Sequence, residues 1–160
     1  MHCFHPNALK FVFVGSLVAG KRPLLAIQII EKLSKLDYDV SLDLYGDGIL
    51  KPDLNNYINQ NELNSVIKLH GNQSKETVKF ALKASHFLIL LSKSEGWPKA
   101  IAEAMFFGAI PMSTSVSCVP YMLDYGNRGV LLTSDLNNAT NIVTQYLSDS
   151  ERLKIMSNKA

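Results

Sequence analysis

Short apolar segments alternate with helical patterns along this 160-residue chain, and this alternation constrains the fold more than any other feature. Strands are predicted at 11–14, 40–45, 66–69, 87–91, 109–113 and 129–132. The segment 87–91 is the most apolar run and is expected to form a central strand. Strands that alternate with helices at loops of ordinary length favour a parallel sheet with helices on both faces. The predicted fold class is therefore α/β, a Rossmann-like doubly wound parallel sheet.

Helical spacing of apolar residues fills the intervals between these strands. The first helix begins at Pro23, and further helices are predicted at 54–63, 74–82 and 139–147, with a helical turn at 119–123. A turn and helix occupy 95–107, with Pro98 at the first helical position and Gly108 as the stop. Residues 1–8 show no periodicity and are interpreted as a leader or linker remnant, which leaves 9–160 as one domain.

Composition excludes several classes of protein. The chain is 47% hydrophobic and 19% charged, which is typical of a single well-filled domain rather than a disordered chain. A formal charge of +2 without a basic stripe argues against nucleic-acid binding. Two cysteines provide no disulfide framework, and no segment is long enough to cross a membrane, so we expect a cytoplasmic domain.

Polar and glycine-containing turns follow five of the predicted strands. These turns are Gly15-Ser16, Gly46-Asp47, Gly71-Asn72, 92–98 and 113–118. Because parallel sheets bind ligands outside the carboxyl ends of their strands, we expect these turns to line one cleft.

Two glutamates at the start of one helix form the strongest candidate site. Glu95 lies in a turn, and Glu103 lies in a run that is otherwise apolar after Lys99. A carboxylate in such a run needs a hydrogen-bonding partner or a ligand, and the helix start attracts phosphate or sugar oxygens. Chemistry alone leaves two interpretations of Glu103 open: it accepts hydrogen bonds from sugar hydroxyls, or it forms an ion pair with a lysine or caps another helix.

The order of these motifs resembles a known family. Two glutamates separated by seven residues precede Ala104-Met105 and Gly108, and the other matching segments are Phe13-Val14-Gly15 with Lys21, Leu44-Tyr45-Gly46-Asp47-Gly48, Leu69-His70-Gly71, Gly108-Ala109-Ile110-Pro111 and Gly129-Val130-Leu131-Leu132. This pattern is similar to the glycosyl transferases group 1 family, which contains retaining glycosyltransferases of the GT-B fold. The resemblance covers nearly the whole chain and implies the C-terminal, donor-binding half of such an enzyme.

The resemblance implies a role for each matching residue. Glu95 would contact the transferred sugar, Lys21 would neutralise the departing diphosphate, and Glu103 would hold the ribose. Backbone N–H groups around Gly96 to Lys99 would face the sugar and diphosphate. The remaining donor-binding candidates are Gly15, Ser16, Gly46, His70, Gly71, Asn72, Trp97 and Pro98.

One position departs from the family. Ser16 stands where an arginine commonly follows the first glycine, so Lys21, aided by Lys99 or Arg22, would carry more of the diphosphate's charge. No cofactor or metal is expected. His2, Cys3 and His5 are interpreted as a chance cluster because no fourth ligand lies nearby.

The expected function is transfer of a sugar, with retention, from a nucleoside diphosphate such as UDP to a glycan or lipid-linked acceptor, as in polysaccharide biosynthesis. The acceptor-binding N-terminal domain is absent from these 160 residues, so we expect the chain alone to bind donor with little or no turnover. Any peripheral association with the inner face of the membrane would involve that absent domain. The alternatives are a binding-only Rossmann-like module, or another GT-B enzyme such as a nucleotide-sugar epimerase or a phosphorylase.

Overall fold

The computed structural model describes residues 9–159, which form a six-stranded parallel sheet in the order β3-β2-β1-β4-β5-β6. The strands are β1 Leu9–Val14, β2 Val40–Tyr45, β3 Ile67–Gly71, β4 Phe87–Leu90, β5 Ile110–Thr114 and β6 Val130–Leu132. All six predicted strands are confirmed, and β4 lies at the centre of the sheet beside β1. Residues 1–8, with the leader assignment and the His2, Cys3 and His5 cluster, lie outside the described part.

Seven helices connect or follow the strands within residues 9–159. They are α1 Pro23–Lys35, α2 Lys51–Gln60, α3 Lys75–Ala84, α4 Lys99–Phe106, α5 Val119–Met122, α6 Leu136–Leu147 and α7 Ser150–Lys159. Helices α1 and α6 pack together, as do α3 and α4. Right-handed crossovers place these two pairs on opposite faces of the sheet, because the chain reverses its direction across the sheet after β3.

The core lies between the sheet and these helices, and its centre is the junction of β1 and β4. Phe11 pairs in register with Phe87, and their stacked rings have centroids 4.8 Å apart. Both side chains are fully buried, as are Leu88 and Ile89. Strand β2 alternates buried and half-buried residues, as its sequence predicts.

A polar cluster ties α2 to α1. The Tyr57 hydroxyl donates to Glu31 Oε2, and Lys35 Nζ donates to Glu31 Oε1 at 2.9 Å. Burial raises the pKa of Glu31, but the hydrogen bonds from Tyr57 and Lys35 and the charges of Lys35 and Lys32 together lower it further, so the net pKa lies below the ordinary value. The ionised carboxylate therefore contributes to the stability of the helix pair.

Two helix assignments from the sequence require correction. Helix α7 was not predicted, because its apolar residues are sparse; Leu153 and Met156 are nevertheless only 2% exposed, and the Ser157 hydroxyl donates to the Gly108 carbonyl. Pro98 is the residue before α4 rather than its first helical residue, since its ψ of 81° is not helical. Tertiary packing decides both points.

Candidate functional site

The carboxyl ends of β1, β2 and β3 are joined by backbone hydrogen bonds. The Gly15 N–H donates to the Tyr45 carbonyl at 3.0 Å, and the Gly46 N–H donates to the Gly71 carbonyl at 2.9 Å. Three of the predicted turns therefore meet at one edge of the sheet.

The β1 and β2 turns approach closely because Gly46 has no side chain. Its φ is +144°, and a Cβ at this position would lie 1.8 Å from the Gly15 carbonyl oxygen. Only glycine satisfies both the backbone conformation and this contact. The contact fixes the floor of the cleft.

Glu95 is held at the carboxyl end of β4 by two side chains. Lys21 Nζ lies 2.6 Å from Glu95 Oε1, and the Ser92 hydroxyl donates to the same oxygen at 2.5 Å. The Glu95 side chain is 8% exposed and that of Lys21 is 29% exposed. The Lys93 N–H donates to the Gly20 carbonyl at 2.8 Å and so ties the Lys21 turn to the Glu95 turn. The structure thus brings both predicted catalytic residues into direct contact.

The loop after β5 supports the same carboxylate. The Glu95 N–H donates to Ser117 Oγ at 3.2 Å, and the Thr114 hydroxyl donates to the Ser92 carbonyl at 2.7 Å. Sequence reasoning missed Ser92, Thr114 and Ser117 as individual site residues. The available signal was that hydroxyl residues end two predicted neighbouring strands, at 92 and 113–117.

Glu103 projects from α4 into a cavity of about 500 Å³. Its carboxylate lies 3.6 Å from Lys99 Nζ, and its side chain is 35% exposed. Both interpretations of Glu103 therefore have a basis, because the carboxylate forms an ion pair and also faces open space. The cavity is lined by Val14, Gln73, Lys75, Val78, Lys79, Lys99, Ala100 and Glu103.

A second cavity of about 300 Å³ adjoins the first and contains many of the predicted donor-binding residues. The two share Val14, Gln73 and Val78, so they form one continuous cleft. The second cavity is lined by Val14, Gly15, Ser16, Tyr45, Gly46, Asn72, Gln73 and Val78. Sequence reasoning placed Asn72 at this cleft but missed Gln73 and the first turns of α3.

His70 does not line either of these two cavities. Its ring stacks on Tyr45 with centroids 4.6 Å apart, and its Nε2 lies 2.7 Å from Asp43 Oδ1. Because Tyr45 does line the cleft, His70 supports the cleft wall from behind.

Residues 96–99 separate into two groups. Trp97 is 69% exposed and lines a different cavity of about 560 Å³ with Met105, Phe106 and Tyr121. The Lys99 N–H donates to the Trp97 carbonyl at 2.9 Å, and proline has no N–H, so neither residue has a backbone N–H available for an anion. Gly96 has open space around its Cα.

Arg22, considered as a second cation for a diphosphate, is engaged elsewhere. Its Nη1 donates to the Leu91 carbonyl at 3.1 Å. This guanidinium anchors the end of β4, while Ser16 at the cleft carries no charge.

Two further searches covered the described residues. Within 9–159, no three His, Cys, Asp or Glu side chains lie close enough together to hold a metal ion. None of the helices in this part of the chain has the length and apolar character needed to span a bilayer.

Comparison with known proteins gives relatives of one kind. An uncharacterized glycosyltransferase of Methanocaldococcus jannaschii is 29% identical over 136 residues, which cover 85% of this chain and 36% of that protein. The chain therefore spans about a third of this relative's length.

Solved structures share the fold at lower identity. Staphylococcus aureus TarM matches with a TM-score of 0.82 and 22% identity over 97% of this chain and 32% of that one. Anabaena Alr3699/HepE, solved with UDP and glucose, matches with a TM-score of 0.80 and 20% identity over 95% of this chain and 42% of that one. The catalytic domain of Helicobacter pylori cholesterol-alpha-glucosyltransferase matches with a TM-score of 0.79 and 19% identity over 97% of this chain and 94% of that one. The expected Rossmann-like fold of one half of a GT-B enzyme is confirmed.

The glycosyl transferases group 1 family matches residues 4–160, nearly the entire sequence. Together with the paired glutamates at one sheet edge, this match shows that the chain belongs to the glycosyl transferases group 1 family.

Proposed function

We propose that this chain binds a nucleoside diphosphate sugar and supplies the donor site of an enzyme that transfers the sugar, with retention, to a glycan or lipid-linked acceptor. One observation carries the proposal. The Lys21–Glu95 pair lies at the same sheet edge as the two-part cleft that Glu103 lines. A cation, a buried carboxylate and an accessible carboxylate match the three parts of such a donor.

Glu103 is the residue proposed to hold the ribose. A carboxylate accepts hydrogen bonds from two neighbouring hydroxyls at once, and the Glu103 side chain is accessible from the cavity. Its ion pair with Lys99 is solvent-exposed and contributes little stability, so a ligand displaces Lys99 at low cost.

Lys21 is the residue proposed to neutralise the diphosphate. Departure of a nucleoside diphosphate concentrates negative charge on the leaving oxygens, and a fixed ammonium group lowers the barrier to that step. With Ser16 uncharged and Arg22 bound to the Leu91 carbonyl, Lys21 would carry most of this task. Lys21 would then exchange part of its contact with Glu95 for the phosphate.

Glu95 is the residue proposed to face the sugar. Its carboxylate is largely buried, and a negative charge in this position stabilises positive charge that develops at the reacting carbon. Retention at that carbon is tested by determining the anomeric configuration of the product of a longer protein that contains this chain.

Uridine is the first base to test. Two structural neighbours were solved with UDP, the Anabaena protein together with glucose and a pneumococcal O-GlcNAc transferase together with GlcNAc. Because the chain spans only part of most of its relatives, we propose that acceptor binding depends on other parts of a longer protein and that the chain alone has little or no turnover. We also propose that donor binding needs no divalent cation, which titration in the presence of EDTA would test.

Calorimetric titration with UDP, GDP and ADP up to millimolar concentration tests donor binding. We expect one of them to bind, and we expect Glu103→Ala to weaken that binding about tenfold through lost charge-assisted hydrogen bonds. Glu151→Ala, which alters an exposed glutamate in α7, is the matched control. Absence of binding by any diphosphate, or an unchanged affinity in Glu103→Ala, would contradict the proposal.

A further inference from the structure

We propose that Ser92, supported by Thr114, is a positioning residue that holds one oxygen of the Glu95 carboxylate and so presents the other oxygen to the donor sugar. This inference rests on the proposed function. It assigns a role to two hydroxyl residues outside the glutamate motif.

The two carboxylate oxygens of Glu95 have different surroundings. Oε1 accepts hydrogen bonds from both Lys21 Nζ and Ser92 Oγ, at 2.6 and 2.5 Å. Within residues 9–159, no hydrogen bond of comparable geometry reaches Oε2. Since a carboxylate oxygen has two lone pairs, the protein occupies the acceptor sites of Oε1 and leaves those of Oε2 available.

Lys21 cannot hold the orientation of Glu95 throughout donor binding. Its side chain is long and 29% exposed, and the proposed contact with the diphosphate draws its ammonium group away from Oε1. A second donor is needed to keep the carboxylate in place after this exchange.

Ser92 fits this requirement because it is immobilised. The residue is fully buried, and its carbonyl accepts a 2.7 Å hydrogen bond from the Thr114 hydroxyl on neighbouring β5. Thr114 is itself only 4% exposed. The order of support therefore runs from Thr114 to the Ser92 backbone, and from the Ser92 hydroxyl to Glu95.

The experiment compares two affinities for each variant of this chain. One is the affinity for the nucleoside diphosphate that binds in the titration above, and the other is that for its glucose and N-acetylglucosamine conjugates. The ratio of the tighter conjugate to the diphosphate isolates the contribution of the sugar. We expect Ser92→Ala to lower this ratio about 3- to 10-fold, the range for loss of one hydrogen bond, and to leave the diphosphate affinity unchanged.

Ser85→Ala is the matched control, since Ser85 is 5% exposed and its hydroxyl donates to the Ala81 carbonyl at 2.7 Å, remote in sequence from the Glu95 turn. We expect this variant to keep the full ratio. Glu95→Gln sets the scale, because it alters the carboxylate directly.

A second pair of variants decides the question if Ser92→Ala does not fold. Thr114→Val removes the hydroxyl at nearly constant shape, and Thr114→Ser keeps it. We expect the ratio to fall in Thr114→Val and to be retained in Thr114→Ser, a rescue that a purely structural role would not produce.

The outcomes separate this inference from the proposed function. If the unmodified chain binds no nucleoside diphosphate, the proposed function fails, and this inference fails with it. If the diphosphate binds but neither conjugate binds more tightly, or if Ser92→Ala leaves the ratio unchanged or weakens all ligands equally, the positioning role alone is overturned.

Discussion

Replacement of Gly46 by alanine tests whether the close approach of the β1 and β2 turns determines the floor of the cleft. The new Cβ would lie 1.8 Å from the Gly15 carbonyl oxygen and 2.8 Å from its carbon, both of them backbone atoms that cannot rotate away. The φ of +144° adds strain for any residue with a side chain. The backbone of at least one turn must therefore move.

The expected cost has two parts. A non-glycine residue in this backbone region costs about 1–3 kcal/mol. Separation of the turns also weakens the Gly15 and Gly46 N–H hydrogen bonds, each with a net contribution of about 1 kcal/mol. The total is about 3–5 kcal/mol, a large fraction of the roughly 5–15 kcal/mol that stabilises a typical domain.

Urea denaturation followed by circular dichroism measures this cost. With a slope of about 2 kcal/mol per molar urea, we expect the midpoint of Gly46→Ala to fall by about 2 M. Gly20→Ala is the control, because a Cβ at Gly20 meets no atom within 4 Å. If the two variants have midpoints within about 0.5 M of each other, the steric reasoning is refuted.

Three further substitutions test separate parts of the molecule. Tyr57→Phe removes a hydrogen bond to the Glu31 carboxylate, whose folded pKa is lowered, so we expect a loss of about 1–2 kcal/mol at neutral pH. This difference in unfolding free energy should be complete above the ordinary pKa of 4.5 and should shrink as the pH falls through the lowered value; a difference independent of pH would contradict it. Lys21→Met should weaken diphosphate binding at least about tenfold and reduce its dependence on salt, and an unchanged affinity by calorimetry would refute the role of this cation. Leu153→Ala should destabilise the domain by about 2–4 kcal/mol in thermal or urea unfolding if α7 completes the core, and a change below 0.5 kcal/mol would show that it does not.

Local patterns explain how much of the fold was predictable. The run at 87–91 lacks polar side chains, so burial on both faces was the favoured state, and β4 occupies the centre of the sheet. Helix α7 was missed because its own pattern is weak. Leu153 and Met156 become buried only when the rest of the domain provides a surface for them.

The candidate site divides in the same way. Motif spacing placed Glu95 and Glu103 on one turn and helix, and the topology of parallel sheets placed that turn beside the turn after β1. The sequence did not indicate that Trp97 would lie 69% exposed in a different cavity from Glu103. That outcome depends on how α4 packs on the sheet.

The sequence by itself determined the α/β class, the strands and the edge at which the polar turns gather, because these follow from periodicity and from the local conformations of glycine and proline. Only the tertiary structure decided which donors hold the Glu95 carboxylate. Lys21 precedes Glu95 by 74 residues, and Thr114 follows Ser92 by 22 residues. Contacts between such distant residues depend on strand order and on helix packing to within an ångström, since a hydrogen bond weakens steeply beyond about 3.2 Å.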